Sequence, residues 1–384
     1  MHQPAILISG AGIAGSTLAF LLARRGFRVT LVERARGLRS SGTPVDVQDA
    51  AFDVAAEMGV VPKLRDAATQ VRRMVLVDGR GRRVSELGLP VNGSRQIEVP
   101  RSDLARILCE AARGDAELLF DDSIADLRQD EGGVDVTFER AAPRRFDFVI
   151  GCDGLHSTVR RFLFGPERAF IDDLGMYVAT FPLDGPADDP HEIVMYNVPD
   201  KAISIHPGRG QGIAALMVRR PVVADFDHRD TAQHRRLLVA DFHGAGWRSD
   251  ELLRRLDEVD DFYFDSVSRV RLDTWSKGRV ALLGDAASCV SFLGGGSSNA
   301  MAGAAVLARA LGEASSDYET AFRRYEHEHR RRVDPKVKGV GYVSHLLIPS
   351  TRAGIAVRNL GARLWSTLTK SRDAGARADA GVVG

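Results

Sequence analysis

Apolar and polar residues switch between two periods along this chain, and the switches mark its elements. Residues 4–9, Pro-Ala-Ile-Leu-Ile-Ser, form a short continuous apolar run ending at glycine, the pattern of a strand buried on both faces. Ser16 to Arg25 then spaces Leu18, Leu21 and Leu22 along one helical face and stops at Gly26, after which Phe27–Glu33 returns to a strand pattern. The three segments predict a strand–helix–strand unit with parallel strands, because a helical crossover brings the chain back in its original direction.

Further along, simple alternation of strand and helix stops. Met74–Asp78 and Arg82–Glu86 flank Gly79-Arg80-Gly81 as a hairpin, and Ile124–Gln129 and Val134–Glu139 flank Gly132-Gly133 as another. Ser102–Ala112 reads as a helix with Leu104, Ile107 and Leu108 on one face, and Phe146–Gly151 as an apolar strand. From about residue 172 to 270 the chain alternates at period two, as in Ala202–His206 and Ile213–Val218, which predicts an antiparallel sheet inserted into the first domain. Val280–Leu283 resumes the apolar strands and Ala300–Leu311 follows as a helix of small residues. The chain therefore crosses between two bodies at least twice. Arg330-Arg331-Arg332 reads as a solvated helix face, and the Ala/Gly/Arg-rich end from about residue 373 as a frayed tail.

Composition narrows the functional classes. The 384 residues exceed one usual core and fit two joined domains. Fifty-two Lys+Arg against 51 Asp+Glu leave a formal charge of +1, with no overall electrostatic footprint for nucleic acid or an anionic membrane. Cys109, Cys152 and Cys289 are scattered, which argues against a disulfide framework or a zinc site, and the ten histidines show no metal-ligand spacing. The chain lacks an apolar run of roughly eighteen residues, and its N-terminal apolar stretch lacks a basic leader, so a cytoplasmic protein is expected. No GxSxG appears for a hydrolase.

Gly10-Ala11-Gly12-Ile13-Ala14-Gly15 is GxGxxG between strand and helix. The first glycine permits a tight turn, the second lets backbone approach a pyrophosphate, and the third lets helix pack on strand. The diphosphate would sit at a helix N-terminus, where free N–H groups and the dipole favour an anion. Glu33 closes the second strand, placed to accept hydrogen bonds from an adenosine ribose and to disfavour a 2′-phosphate. The residues alone therefore leave FAD or NAD open. Two later turns follow apolar strands: Asp153-Gly154 in GCDGLHSTVR, with Ser157 better explained as a cap or donor than as a nucleophile, and Gly284-Asp285-Ala286-Ala287 after Val280–Leu283.

The order GxGxxG, DGxxSxxR, GDAA resembles the single-component, class A FAD-dependent aromatic hydroxylases of the p-hydroxybenzoate hydroxylase fold, and is similar to the tetracycline-inactivating monooxygenases, over about residues 4–330. The resemblance implies an α/β protein: a Rossmann-like FAD-binding domain with a three-layer ββα arrangement, an inserted, mostly antiparallel substrate sheet, and C-terminal helices. Its expected divisions are residues 1–171 and 271–330 for FAD, 172–270 for substrate, and 331–384 for the C-terminal helices and tail. It also implies an enzyme that uses FAD with NAD(P)H as transient reductant, and that hydroxylates an aromatic or polycyclic small molecule with O2 through a flavin C4a-hydroperoxide. A flavin-dependent dehydrogenase or reductase, and a non-catalytic flavin-binding protein, remain alternatives on the same fold.

Carried onto this sequence, the resemblance assigns Gly10, Gly12, Ala14, Gly15, Glu33 and Arg34 to the adenosine-diphosphate end, and Arg101 and Asp285 to the flavin chain and pyrophosphate. Asp153 is associated with FAD and the reducing nicotinamide, Arg39 with NADPH and Asp46 with FAD. After GDAA the pattern departs: Ser288, Ser291-Phe292 and Gly295-Gly296-Ser297 stand where the family often has His, Pro-Pro and GxG. Gly295, Gly296, Ser297 and Ser298 still lead into a helix whose N–H groups would face the flavin pyrimidine. Tyr196, His206 and Phe292 are candidates for the substrate side. A second strand–GxGxxG–helix is missing, so a dedicated nicotinamide domain is not expected; Gly208–Gly212 lies in a hairpin loop.

Overall fold

The computed structural model describes residues 3–37, 42–89, 92–208, 210–260, 262–289, 295–314 and 317–364. Its first body is a six-stranded sheet in the order Ser276–Lys277, Val280–Leu282, Phe148–Gly151, Ala5–Ser9, Arg28–Glu33, Glu117–Phe120. All neighbours pair parallel except the short Ser276–Lys277 edge. Ala5–Ser9 is buried along its whole length, as its unbroken apolar run predicts. The helix Ile13–Ala23 crosses over to Arg28–Glu33 and packs beside the helix Gly296–Glu313, which is longer than the small-residue stretch expected. Both expected hairpins form, and Arg101–Ala112 is helical.

Seven strands make the second sheet, in the order Tyr263–Val270, Ile171–Pro182, Ile213–Arg219, Lys201–His206, Glu192–Val198, Arg73–Val77, Arg83–Gly88. The expected strands of 172–270 are there and mostly antiparallel, but the sheet also recruits the hairpin 73–88. Glu192–Val198 pairs parallel with Arg73–Val77, Ile193 opposite Met74. That pairing joins segments far apart in sequence, so no local pattern announces it. The insert is not all strand either. Asp230 accepts a hydrogen bond from the Gln233 N–H and starts the helix Thr231–Phe242, and Ser249–Glu258 follows with Leu252, Leu253 and Leu256 buried. These two helices cover one sheet face, where Tyr177, Phe181, Ile203, Leu216 and Phe264 meet Leu238, Phe242 and Leu256. Met176, Met195 and Met217 lie on the opposite face, with Ile348 and Ala362.

The long helix Tyr318–Leu347 carries the arginine run. Arg331 and Arg332 are exposed, but Arg330 corrects the reading of a wholly solvated face: it pairs with Glu326 at 2.8 Å, donates to the carbonyls of Leu272 and Asp273, and lies over the Trp275 ring. The predicted frayed tail lies outside the described residues. Among those described, no helix is long and apolar enough to cross a membrane.

Candidate active site

Three turns leave the carboxyl ends of parallel strands: 10–15 after Ala5–Ser9, 152–157 after Phe148–Gly151, and 284–286 after Val280–Leu282. Parallel strands put all three on one edge of the sheet, where α/β sheets bind ligands. Close packing then joins them. Gly10 has φ +102°, and a Cβ there would lie 2.6 Å from the Cys152 carbonyl oxygen; one on Gly15 would lie 1.9 Å from the Gly10 oxygen. Gly284, at φ +66°, leaves only 3.0 Å between a Cβ and that of Ala14. These glycines let the backbones approach. Gly12 differs: a Cβ there would meet nothing within 4 Å, so the turn opens a hollow at the uncapped N-terminus of Ile13–Ala23.

Glu33 reaches this turn from the second strand. Its carboxylate accepts from the N–H of Ala11 at 2.8 Å and of Ala35 at 2.9 Å. Arg34 beside it is exposed. Asp153 accepts from Ser157 Oγ at 2.5 Å and from the Val159 N–H at 3.1 Å; burial raises its pKa, with the Ser157 bond working against the rise. Ser157 also caps the helix Thr158–Phe164 by accepting from the Arg160 N–H. Asp285 is likewise raised by burial, and Arg101 is near enough to oppose that shift. Arg101 packs at Gly42, where a Cβ would be 3.0 Å from its Cδ.

Arg160, the last residue of GCDGLHSTVR, has a role that the motif alone does not announce. The side chain is buried, donates to the Ala286 carbonyl at 3.1 Å and the Leu155 carbonyl at 2.5 Å, and so ties the Asp-Gly loop to the Gly-Asp turn. The available signal was an arginine three residues after a serine cap. Cys152, buried between the turns, has its thiol pKa pushed well up by burial.

Around the helix Gly296–Glu313 the expected residues divide. Gly295 caps it without a side chain, and Ser297 Oγ in the first turn is buried with no hydrogen-bond partner among the described residues. Ser298 Oγ is instead committed to the strand Val45–Gln48: it donates to the Asp46 carbonyl at 2.7 Å and accepts from the Gln48 N–H at 3.3 Å. The Asp46 carboxylate takes a hydrogen bond from Gln96 at 3.2 Å. Arg39, Ser291, Phe292 and Gly294 lie outside the described residues.

On the substrate side the two strand candidates separate. Register places Tyr196 opposite Ile203, so its ring joins the helix-covered face, and its hydroxyl donates to the Ala245 carbonyl at 2.9 Å. This corrects its reading as a pocket residue. His206 alternates onto the opposite face with Ala202 and Ser204; its ring bonds Ser204 Oγ at 2.9 Å, and burial lowers its pKa to about 4, so it is neutral at pH 7. Among the described residues no group of three or more His, Cys, Asp or Glu is arranged to hold a metal ion.

The hollow at Gly12, the unpartnered Ser297 hydroxyl and two helix N-termini without side-chain caps fit a dinucleotide with a diphosphate and a polar ring edge. Residues 3–338 match the family model described as FAD binding domain. A flavin-dependent monooxygenase of Legionella longbeachae is 34% identical over 345 residues, 88% of this chain and 88% of that protein. The chain belongs to the class A flavin-dependent monooxygenases. The tetracycline destructase Tet(51) structure superposes on this monooxygenase with a TM-score of 0.83 and 32% identity, covering 96% of this chain and 98% of that one. Klebsiella pneumoniae HpxO, solved with FAD and uric acid, shares the fold at a TM-score of 0.72 and 21% identity, over 94% of this chain and 92% of its own. The family therefore supplies the cofactor, FAD, that the three turns fit. Gly10, Gly12, Gly15 and Glu33 would hold its adenosine-diphosphate end, and Asp285 with the helix Gly296–Glu313 its flavin end.

Proposed function

We propose that this monooxygenase uses NAD(P)H as a transient reductant and O2 to hydroxylate an aromatic or polycyclic small molecule in the cytoplasm. The observation that carries the reading is the meeting of two of the cofactor turns with the edge of the seven-stranded sheet: the Val270 N–H at that edge donates to the Cys289 carbonyl, just after the Gly-Asp turn, and Asp265 on the same strand bonds His156 of the Asp-Gly loop. FAD, when bound, supplies the oxygen activation; the chain's work is to hold it, place substrate beside it and keep water out. Ser297 Oγ and the first N–H groups of Gly296–Glu313 would receive negative charge on the flavin. On the sheet face away from its two helices the neutral His206 offers a polar contact, while Met176, Met195 and Met217 are buried against Ile348 and Ala362 and back that face. The name of the similar tetracycline destructase supports a polycyclic substrate.

Without a second dinucleotide unit, nicotinamide binding should be weak and coupled to substrate. Rapid mixing of the FAD-loaded protein with NADH or NADPH should give slow flavin reduction alone, and reduction roughly tenfold or more faster, a difference of about 1.4 kcal/mol in barrier, once a hydroxylatable polycyclic phenol is present. Reduction at the same rate with and without every member of a phenol, quinone and polyketide panel would count against the hydroxylase reading.

A further inference from the structure

His156 lies inside the Asp-Gly loop, three residues after Asp153, yet its side chain turns away to two carboxylates. Nδ1 is 2.8 Å from Glu167 Oε1, on the short helical turn Glu167–Ala169, and Nε2 is 3.0 Å from Asp265 Oδ2, on the edge strand Tyr263–Val270. The His228 ring stacks on it, centroids 3.7 Å apart and planes 5° from parallel. A neutral imidazole carries one N–H and one lone pair, so it could donate to only one of these carboxylates; a ring that donates to both is the imidazolium. The arrangement continues on both sides. Asp265, itself buried, also accepts from the Ser266 N–H at 2.8 Å, while Glu167 lies 3.7 Å from Arg160, the residue tying the loop to the Gly-Asp turn.

We propose that His156 is a positioning residue: gripped by Glu167 and Asp265 and stacked on His228, it pins the cofactor-facing Asp-Gly loop to the edge of the substrate sheet and so fixes the spacing between the two sides of the site. From the preceding reading the inference takes only that Asp153 and its loop face the flavin.

The charges around the ring give this clamp a pH signature. Burial lowers the His156 pKa, but Asp265 and Glu167 raise it more, to about 9. His228 is pushed to about 4, first by burial and then by the His156 charge, so a neutral ring stacks on a cationic one. Arg160 near Glu167 and Arg229 beside His228 are the other charges facing the cluster. A group whose folded pKa lies above its unfolded value of 6.5 stabilises fully below 6.5 and loses that contribution as pH rises through the folded value. The clamp is therefore complete at neutral pH and opens through about pH 9.

FAD titrations followed by flavin fluorescence, on the full chain from about pH 6 to about pH 10, test this for the parent, His156→Gln and Asp265→Asn. His156→Gln should bind FAD roughly tenfold more weakly at pH 7, and the gap should close as pH passes about 9, because the parent then loses the same clamp. Asp265→Asn, which keeps the ring and its stacking, should move the parent's alkaline loss of affinity to lower pH. A His156→Gln affinity within twofold of the parent at pH 7, or a gap unchanged across the range, overturns the proposal. If His156→Gln does not fold, an alkaline limb in Asp265→Asn that coincides with the parent's overturns it as well. A parent that binds no FAD at any pH would instead refute the cofactor reading itself.

Discussion

Gly12→Ala should leave the stability of the FAD-free protein within about 1 kcal/mol of the parent while weakening FAD binding roughly a hundredfold, a loss of about 3 kcal/mol. Gly15→Ala should do the reverse in order of cause, destabilising the FAD-free protein by about 3 kcal/mol or more. The two glycines sit in one motif but face different neighbours. Gly12 has φ −71° and ψ −170°, a backbone any residue adopts, and open space where its side chain would be. That space is the hollow assigned to the pyrophosphate, so a methyl group there costs the ligand and not the fold. At Gly15 the methyl would stand 1.9 Å from the Gly10 oxygen and 3.3 Å from Cys152 Cβ, and the helix would have to leave the strand to admit it. Denaturant titration of the FAD-free variants, paired with FAD affinity, separates the effects. Equal loss of stability in both variants would mean that the Gly12 hollow is filled by protein in solution.

Arg160→Met should destabilise the protein by about 3–5 kcal/mol, the usual cost of removing one partner from a buried charged network. Only 1% of the arginine is exposed, and its loss strands the carbonyls of Leu155 and Ala286 on two loops that lie beyond the last paired strand residues, Gly151 and Leu282. The same change removes the cation beside Glu167, which then faces His156 alone. FAD affinity should fall with stability, because the Asp-Gly loop and the Gly-Asp turn are positioned against each other by this side chain. Urea unfolding with and without saturating FAD reads both effects. A loss below about 1 kcal/mol would show that the turns are held by their own backbones and that Arg160 is dispensable to them.

What could be read from the sequence was whatever has a local cause. Ala5–Ser9, the glycine turn, the helix behind it and Glu33 follow from a period change and three glycines, and each later turn is marked by an apolar strand running into Asp-Gly or Gly-Asp. The helix Ser249–Glu258, which the reading of 172–270 as sheet passed over, was marked just as locally, since Leu252, Leu253 and Leu256 have helical spacing under flanking charges. Long-range pairing was not. Nothing near Arg73–Val77 indicates that Glu192–Val198 will lie beside it in parallel. The strand Glu-Ile-Val-Met-Tyr-Asn-Val is apolar at successive positions, so its sequence does not say which face Tyr196 takes; only the register against Ile203 does. The roles of Arg160 and His156 have the same origin. Their partners are a carbonyl 126 residues away and a carboxylate 109 residues away, contacts created by the fold.

Turnover under isotopically labelled dioxygen tests the central claim most directly. With FAD bound, NAD(P)H supplied and a polycyclic phenol that accelerates flavin reduction, mass spectrometry should find a single labelled oxygen atom in the product when the gas carries the label, and none when only the water does. Product that is desaturated or reduced without gas-derived oxygen, or that takes its new oxygen from water, would contradict the account and place the protein among flavin dehydrogenases or reductases.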